Sequence, residues 1–203
     1  MYRDHPLTRT VLDTIEHGQL GTVTLIRGAF TFLLKGRDPD IRTDPALGGG
    51  SLWDVGCYPV SYACLVRNAE PLEVFGCQVA DANGIDRSFS GIMRFDGGVL
   101  AQFDSGFRSA YRSEMEIVGS DGVLRIDRPF KAGPESRLVL VRGDAEVSLP
   151  FPTDPPYAGE ISDFTASALD GVPHPLPLSE SRRTARVLTA LYASAAANTP
   201  IAL

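Results

Sequence analysis

A carboxylate and a phenol lie four residues apart in this 203-residue sequence, where Asp54 and Tyr58 follow the run Gly48-Gly49-Gly50. On an α-helix, residues at this spacing project from one face. The phenol could then donate or accept a proton while the carboxylate orients it. A simpler interpretation also fits the spacing, with Asp54 as a first-turn carboxylate favoured by the helix dipole and Tyr58 as a packing residue. The spacing leaves both interpretations open.

A helix over 51–67 is predicted to position the pair, because Ser51 is a candidate N-cap and apolar residues recur after it. Proline lacks an N–H and is tolerated in a first helical turn. Pro59 therefore leaves open a helix that begins at Tyr58, with Asp54 in the preceding loop.

A charged loop over about 35–47 leads into the glycines and contains Arg37, Asp38 and Arg42. Its composition and its place beside Asp54 and Tyr58 suit a mobile lid or substrate loop.

The rest of the chain predicts an α+β fold with an open, mostly antiparallel sheet and helices packed on one face. Three hairpin turns, at 96–98, 120–122 and 142–145, join β-rich segments. We expect one domain over 1–203: an initial helical segment at 1–20, the sheet at 21–150 with the inserted helix, and closing helices within 157–198. The uncovered sheet face predicts a homo-oligomer.

Further helices are expected at 8–17, 157–169 and 179–198, and strands at 22–32, 72–80, 88–95, 99–107, 114–118, 123–126, 137–141 and 146–149.

Charge and composition exclude several classes of function. The net charge of −6 and a pI near 5.0 argue against a general nucleic-acid or anionic-membrane binder. The sequence has no run of about 20 apolar residues and no apolar leader at its start. Three cysteines without a Cys-x-x-Cys pair favour a reducing cytosol over a disulfide framework or a zinc site.

The histidines show no metal-ligand spacing, so we expect no metal site. His17 and His174 are interpreted as a helix-end residue and a loop residue. His5 either caps the first helix or points into the site. No nucleotide fingerprint, phosphate-binding loop or nucleophile elbow occurs in the sequence.

The stretch 48–59, Gly-Gly-Gly-Ser-Leu-Trp-Asp-Val-Gly-Cys-Tyr-Pro, resembles the signature of the glucose–fructose oxidoreductase / inositol dehydrogenase (Gfo/Idh/MocA) family. In that family, a Gly-Gly-Gly-x-Leu-x-Asp-x-Gly-x-His/Tyr pattern opens the active-site helix. Segments 1–6, 117–124 and 191–195 resemble further family segments in the same order, so the resemblance covers nearly the whole chain.

The resemblance implies the substrate-binding and oligomerisation domain of an oxidoreductase. Family members usually carry a preceding Rossmann domain that binds NAD or NADP and supplies a Lys in a Glu-Lys-Pro turn. This chain has neither the turn nor a nucleotide fingerprint. The resemblance therefore implies NAD or NADP in the intact enzyme, a sugar-like or polyhydroxylated substrate, and a chain that alone binds no cofactor and is inactive.

The family's site residues carry over to matching positions only. Asp54 matches the active-site carboxylate, and Tyr58 stands where many members have His. The Tyr form resembles the branch with glucose–fructose oxidoreductase, xylose dehydrogenase and dihydrodiol dehydrogenase. A phenol titrates near pH 10 and needs a nearby cation to act as a base at neutral pH, which the family's Lys would provide. Arg42 and His5 resemble positions near the substrate in that branch.

Two other functions remain open. The chain could be a free-standing, non-catalytic module for dimerisation or ligand binding, which the uncovered sheet face and the missing fingerprint both fit. It could also be a subunit that borrows a nucleotide-binding partner in trans.

Overall fold

A computed structural model describes residues 1–36 and 40–203. The described chain forms two compact units, Met1–Val23 with Glu114–Arg182, and Thr24–Ser113 with Arg183–Leu203. Its helices are α1 Pro6–Glu16, α2 Cys57–Arg67, α3 Ala158–Asp170 and α4 Leu178–Ala197. Its strands are β1 Val23–Leu33, β2 Glu73–Ala80, β3 Asp86–Arg94, β4 Leu100–Gly106, β5 Arg108–Gly119, β6 Val123–Asp127, β7 Arg137–Arg142, β8 Ala145–Ser148 and β9 Ile201–Ala202.

The second unit contains a mixed sheet with the strand order β5-β1-β4-β3-β2-β9, to which β5 contributes its first half. Strand β3 pairs antiparallel with both β2 and β4. Strand β1 pairs parallel with β4, from Leu25 opposite Leu100 to Thr31 opposite Gly106. A parallel pair needs a crossover connection, and the long segment between these strands, which includes α2, provides it.

Helices cover one face of this sheet and leave the other exposed. Along β3, Gly91 and Met93 are buried while Ile92 and Arg94 are exposed, the alternation expected of a strand with one covered face. Gly76 in β2 lets α4 lie directly on the sheet, because a Cβ there would come within 2.6 Å of the Leu191 carbonyl oxygen. The opposite face, called here the open face, carries Phe75, Cys77, Val79, Ile92 and Leu100.

The first unit contains an antiparallel meander in the order β8-β7-β6-β5, to which β5 contributes its second half. Buried residues of α1 and of the strands form its core, and the Tyr2 ring packs edge-on against Phe130 at 6.1 Å between centroids. Its buried apolar side chains include Leu7, Val11, Ile117, Leu124, Ile126, Leu138 and Leu140.

The predicted fold, an open and mostly antiparallel sheet with helices on one face, is confirmed, with three local differences. Residues 40–47, predicted as a loop, contain two 3₁₀ turns, Ile41–Thr43 and Pro45–Leu47. Arg37 and Asp38 of that predicted loop lie outside the described residues. The first half of β5 and the short β9 were not predicted.

Within the described ranges, none of the helices is long and apolar enough to cross a membrane.

Candidate functional site

The predicted helix over 51–67 begins with a wide turn. Leu52–Gly56 is π-helical and continues directly into α2, and the continuous segment 51–67 is called here the site helix. Pro59 has no N–H to donate to the carbonyl of Val55, four residues earlier. Val55 lies in the π turn, so the helix widens where this α-helical hydrogen bond is missing. Asp54 therefore lies in a helical turn and not in a preceding loop. Single π turns of this kind occur often at functional sites.

The start of the site helix is capped by Asp86: Ser51 stands at the predicted N-cap position, but the prediction that its side chain caps the helix is wrong. Ser51 already has helical angles and its side chain makes no capping bond. Its hydroxyl instead donates to Asp86 Oδ2 at 2.6 Å, and the backbone N–H of Leu52 donates to the same oxygen at 2.9 Å. A carboxylate is a stronger acceptor than a serine hydroxyl and is favoured by the positive end of the helix dipole.

Asp86 is buried, and its second oxygen also has a donor. The Tyr192 hydroxyl donates to Asp86 Oδ1 at 2.6 Å, and only 1% of Asp86 is exposed. A buried carboxylate needs such donors to compensate for its lost hydration. Burial, the hydrogen bond to Asp86 and the charge of Asp86 raise the pKa of Tyr192, so the hydroxyl keeps its proton and remains a donor. We call Asp86, Ser51 and Tyr192 the capping network.

Sequence reasoning missed this network. Asp86 is 35 residues from Ser51 and 106 from Tyr192. Neither separation matches a motif or a helical or strand period. No signal in a single sequence could have identified these partners.

The glycine turn fits closely against the chain's own atoms. Gly50 has φ +130°, a conformation almost confined to glycine, and a Cβ there would lie 2.2 Å from Asp86 Oδ1. A Cβ on Gly49 would lie 2.6 Å from the Arg42 carbonyl oxygen, which also accepts from the Gly50 N–H at 3.0 Å. These two glycines are explained by internal contacts. The turn does not fit the role of a dinucleotide cradle, in which glycines make room for a pyrophosphate.

Arg42 and Asp54, both predicted site residues, are brought together. Arg42 Nε donates to Asp54 Oδ2 at 3.1 Å, and Arg42 Nη1 lies 3.3 Å from Asp40 Oδ1. Both members of the pair remain about one-third exposed. Burial lowers the pKa of the Arg42 guanidinium, but the charges of Asp54 and Asp40 outweigh it and raise this pKa, so the cation is permanent.

Tyr58 lies half-buried on the same helix, past the junction between the π turn and α2. Its ring packs edge-on against Phe30, with centroids 5.4 Å apart, and Phe30 packs in the same way against Tyr111 at 6.3 Å. The partner that the structure gives Asp54 is Arg42. Proton handling by Asp54 and Tyr58 as a pair stays a prediction.

His5 lies in the first unit, where it caps α1. Its Nδ1 accepts from the Leu7 N–H at 3.1 Å, and its Nε2 lies 3.2 Å from the carbonyl oxygen of Asp154. The ring is buried, with 3% exposure. The capping alternative is therefore confirmed, and a contact between His5 and substrate stays a prediction. His17 ends α1, as expected.

Cys57 adjoins the site and is a poor nucleophile. Burial and the neighbouring charge of Asp54 raise the pKa of its thiol to about 12. Cys57, Cys64 and Cys77 are all free thiols. Across residues 1–36 and 40–203, no three His, Cys, Asp or Glu side chains cluster in a way that could hold a metal ion.

Curated relatives match almost the whole chain. An uncharacterized oxidoreductase of Rhizobium meliloti is 35% identical, covering 96% of this chain and 60% of the relative. The D-xylose 1-dehydrogenase (NADP(+)) 2 of Haloferax volcanii is 31% identical with the same coverage. The chain thus spans about 60% of the length of these relatives.

Solved structures show the same fold. A 3-ketoreductase from Actinomadura kijaniata, in complex with NADP and TDP-benzene, superposes with a TM-score of 0.88 at 27% identity, covering 95% of this chain and 60% of the other. An aldose-aldose oxidoreductase from Caulobacter crescentus, complexed with glycerol, gives 0.91 at 20% identity, covering 100% and 62%. The family model of the GFO/IDH/MocA C-terminal domain matches residues 8–125. The chain therefore belongs to the GFO/IDH/MocA family, whose C-terminal domain it represents.

Proposed function

We propose that this chain is the substrate domain of an NAD(P)-dependent oxidoreductase that acts on a sugar-like or other polyhydroxylated alcohol or carbonyl. The observation that carries the proposal is the Arg42–Asp54 ion pair, which is about one-third exposed and joins the 3₁₀ turn Ile41–Thr43 to the site helix, which also carries Tyr58. Such a pair offers N–H donors and carboxylate acceptors side by side, a combination that can bind several hydroxyl groups of one ligand.

In this proposal Tyr58 exchanges the proton of the reacting hydroxyl, and Asp54 orients the substrate or Tyr58. Arg42 fixes Asp54 and adds donors of its own. His5 is a further candidate contact with the substrate. The capping network holds the first turn of the site helix, so the reacting groups start from a fixed backbone.

The nicotinamide supplies the hydride chemistry and belongs to a domain other than this chain. The closely packed glycine turn is a poor fit for a dinucleotide. A 31%-identical relative is named an NADP(+)-dependent xylose dehydrogenase, and a 27%-identical neighbour is a ketoreductase with bound NADP. Both support a nicotinamide cofactor, and the xylose dehydrogenase supports a sugar-like substrate. The free thiols fit a reducing cytosol as the compartment.

The test is Tyr58→Phe in the polypeptide that carries the nucleotide-binding domain. Loss of the acid/base group should reduce kcat by on the order of 10²-fold or more. Tyr111→Phe is the matched control, since Tyr111 also packs edge-on against Phe30, and it should keep normal turnover. Near-normal kcat in Tyr58→Phe would refute the assignment.

A non-catalytic module is the second candidate, favoured by the apolar residues on the open face. Intact mass of the protein from its natural source separates the two. A mass above 21.8 kDa by roughly 100–150 residues supports the oxidoreductase. A mass of 21.8 kDa favours the module, or a subunit that uses a nucleotide-binding partner in trans.

The same proposal includes a homo-oligomer formed through the open face. Phe75 and Ile92 are cross-strand neighbours there, and Ile92 is 45% exposed. We expect Ile92→Glu to lower the oligomeric mass measured by light scattering, because it would bury a charge in the interface. An unchanged mass would exclude this face.

A further inference from the structure

The connection between β2 and β3 binds the segment that carries Arg42. Asn83 of this connection donates from Nδ2 to the carbonyl oxygen of Thr43 at 3.0 Å. Thr43 directly follows Arg42 in the 3₁₀ turn Ile41–Thr43, and Arg42 contacts Asp54. The Asn83 amide is therefore a contact from outside the turn that helps to fix the position of Arg42.

The Asn83 side chain is exposed, yet both ends of its amide are bonded. While Nδ2 donates to Thr43, Oδ1 accepts from the Ile85 N–H at 3.2 Å. The Gly84 N–H donates to the Asp81 carbonyl oxygen at 2.9 Å and closes the turn. The amide is thus held in a tight turn and is open to water at the same time.

Asn83 is also the one asparagine of three in the sequence that precedes a glycine. An asparagine side chain loses ammonia when the backbone nitrogen of the next residue attacks its Cγ. The Gly84 nitrogen gives its proton to water and bonds to Cγ, which closes a succinimide ring, while the Cγ–Nδ2 bond breaks and Nδ2 takes up a proton and leaves as ammonia. Water then opens the ring to aspartate or isoaspartate, and nothing is oxidised or reduced.

The local geometry favours this attack. Glycine has no Cβ to crowd the attacking nitrogen, and no atom lies within 4 Å of the place where a Cβ on Gly84 would be. Oδ1 gains negative charge during the attack, and the Ile85 N–H already donates to it and stabilises that charge. The bond from Gly84 to Asp81 must open first, and exposed turns open at the lowest cost in free energy.

We propose that Asn83 is a deamidation site, and that its conversion to a carboxylate releases the turn that positions Arg42. A carboxylate accepts hydrogen bonds but cannot donate one, so the product has no hydrogen for the Thr43 carbonyl. The new charge is also repelled by Asp40 and Asp44, the two caps of the same turn. The consequence for substrate binding rests on the proposed function, whereas the modification and the release of the turn do not.

The rate of deamidation tests the modification itself. The 203-residue chain is incubated at mildly alkaline pH, and peptide mass spectrometry follows each asparagine. We expect Asn83 to convert at least about tenfold faster than Asn68 and Asn198, which are also exposed, because Ala69 and Thr199 place a Cβ beside the attacking nitrogen. Equal rates at the three asparagines would overturn the proposal.

Hydrogen exchange measured by NMR tests the release of the turn in the same chain. The Gly50 N–H donates to the Arg42 carbonyl oxygen at 3.0 Å and reports whether the turn is held. Asn83→Asp reproduces one product and should speed exchange of this N–H at least about threefold, as expected for the loss of one neutral hydrogen bond. Asn198→Asp introduces the same charge at an exposed position beyond α4 and should leave the rate unchanged. An unchanged rate in Asn83→Asp would also overturn the proposal.

Substrate kinetics test the consequence in the polypeptide that carries the nucleotide-binding domain. Asn83→Asp should raise KM about threefold to tenfold and leave kcat unchanged. It should have no further effect in an Arg42→Gln background, because the residue that Asn83 positions is gone. Asn198→Asp is again the control.

The two variants keep this proposal separate from the proposed function. If Arg42→Gln raises KM and Asn83→Asp does not, Asn83 has no positioning role and the proposal is overturned. If neither variant raises KM, the proposed function is contradicted, while fast deamidation of Asn83 and faster exchange at Gly50 would still support the modification site.

Discussion

The hydroxyl of Tyr192, in the last helix, lies 2.6 Å from Oδ1 of Asp86, the first residue of β3. Through the other oxygen of the same carboxylate, this contact continues to Ser51 and to the backbone of Leu52. The position of the site helix is thus set by residues far from it in sequence and outside the reacting groups. The capping network can be tested in the 203-residue chain, with no need for cofactor or substrate.

Replacing Asp86 should destabilise the protein strongly. Asp86→Ala removes the acceptor for three donors in a buried site, so we expect the free energy of unfolding to fall by about 3 kcal/mol or more. Tyr192→Phe removes one charge-assisted hydrogen bond and should cost about 1.5 kcal/mol. Urea unfolding measures both. Asp144→Ala, in the exposed turn between β7 and β8, should stay within about 0.5 kcal/mol. A loss below about 1 kcal/mol in Asp86→Ala would contradict the described network.

The glycine turn gives a prediction with an internal control. Both Gly48 and Gly50 have positive φ, but only Gly50 has atoms within 4 Å of where a Cβ would lie. Gly48→Ala should cost about 1 kcal/mol, for backbone strain alone. Gly50→Ala adds overlap with Asp86 and Tyr192 and should cost about 3 kcal/mol or more. Equal losses in the two variants would show that the close contacts at Gly50 are not present.

Cys57 should alkylate slowly. With a pKa of about 12, its thiolate fraction at pH 8 is roughly 10³-fold below that of an ordinary thiol, and the higher nucleophilicity of a basic thiolate offsets part of this. In the Ile92→Glu variant, which is expected to leave the open face without a partner copy, iodoacetamide should modify the exposed Cys77 tens of times faster than Cys57, as followed by mass spectrometry. Because the Asp54 charge contributes to the raised pKa, Asp54→Asn should lower it and speed the modification of Cys57. Asp96→Asn, in an exposed turn, serves as the control and should leave the rate unchanged.

Arg42→Gln should separate function from stability. The Arg42–Asp54 pair is about one-third exposed, so its loss should change the free energy of unfolding by less than about 1 kcal/mol. If Arg42 and Asp54 bind substrate hydroxyls, KM of the enzyme with its nucleotide-binding domain should rise about tenfold, the loss expected for one charged hydrogen bond. Arg94→Gln breaks a comparably exposed pair with Glu73 and should leave KM unchanged. An unchanged KM in Arg42→Gln would remove Arg42 from the site.

The sequence predicted those features that depend on local pattern. Strands β2, β3 and β4 and helices α1 and α4 appear close to the expected bounds, because apolar periodicity and turn residues mark them. The site helix was also predicted, apart from its π turn. The structure brings two of the predicted site residues, Arg42 and Asp54, into contact, and their roles stay predictions.

What the sequence did not predict depends on distant partners. The first half of β5, Arg-Ser-Ala-Tyr-Arg-Ser, carries little apolar signal and is a strand through its pairing with a neighbour. Ser51 has the residue type of an N-cap, yet the capping atom comes from Asp86. The periodicity of α3 predicted a helix correctly, but an apolar stripe does not tell whether the surface that buries it is present.

The π-helical turn at 52–56 lets the site helix tolerate one change of chain length. A π turn holds one more residue than an α-helical turn, so deleting one residue of Leu52–Gly56 would return the segment to an α-helix without rotating its two ends against each other. Asp86 would still hold the beginning of the segment and the core would still hold α2. The obstacle is Pro59, because a regular α-helix would bring its ring against the carbonyl of the residue four positions earlier. We therefore expect a one-residue gap across these five positions only in homologues that have no proline at position 59.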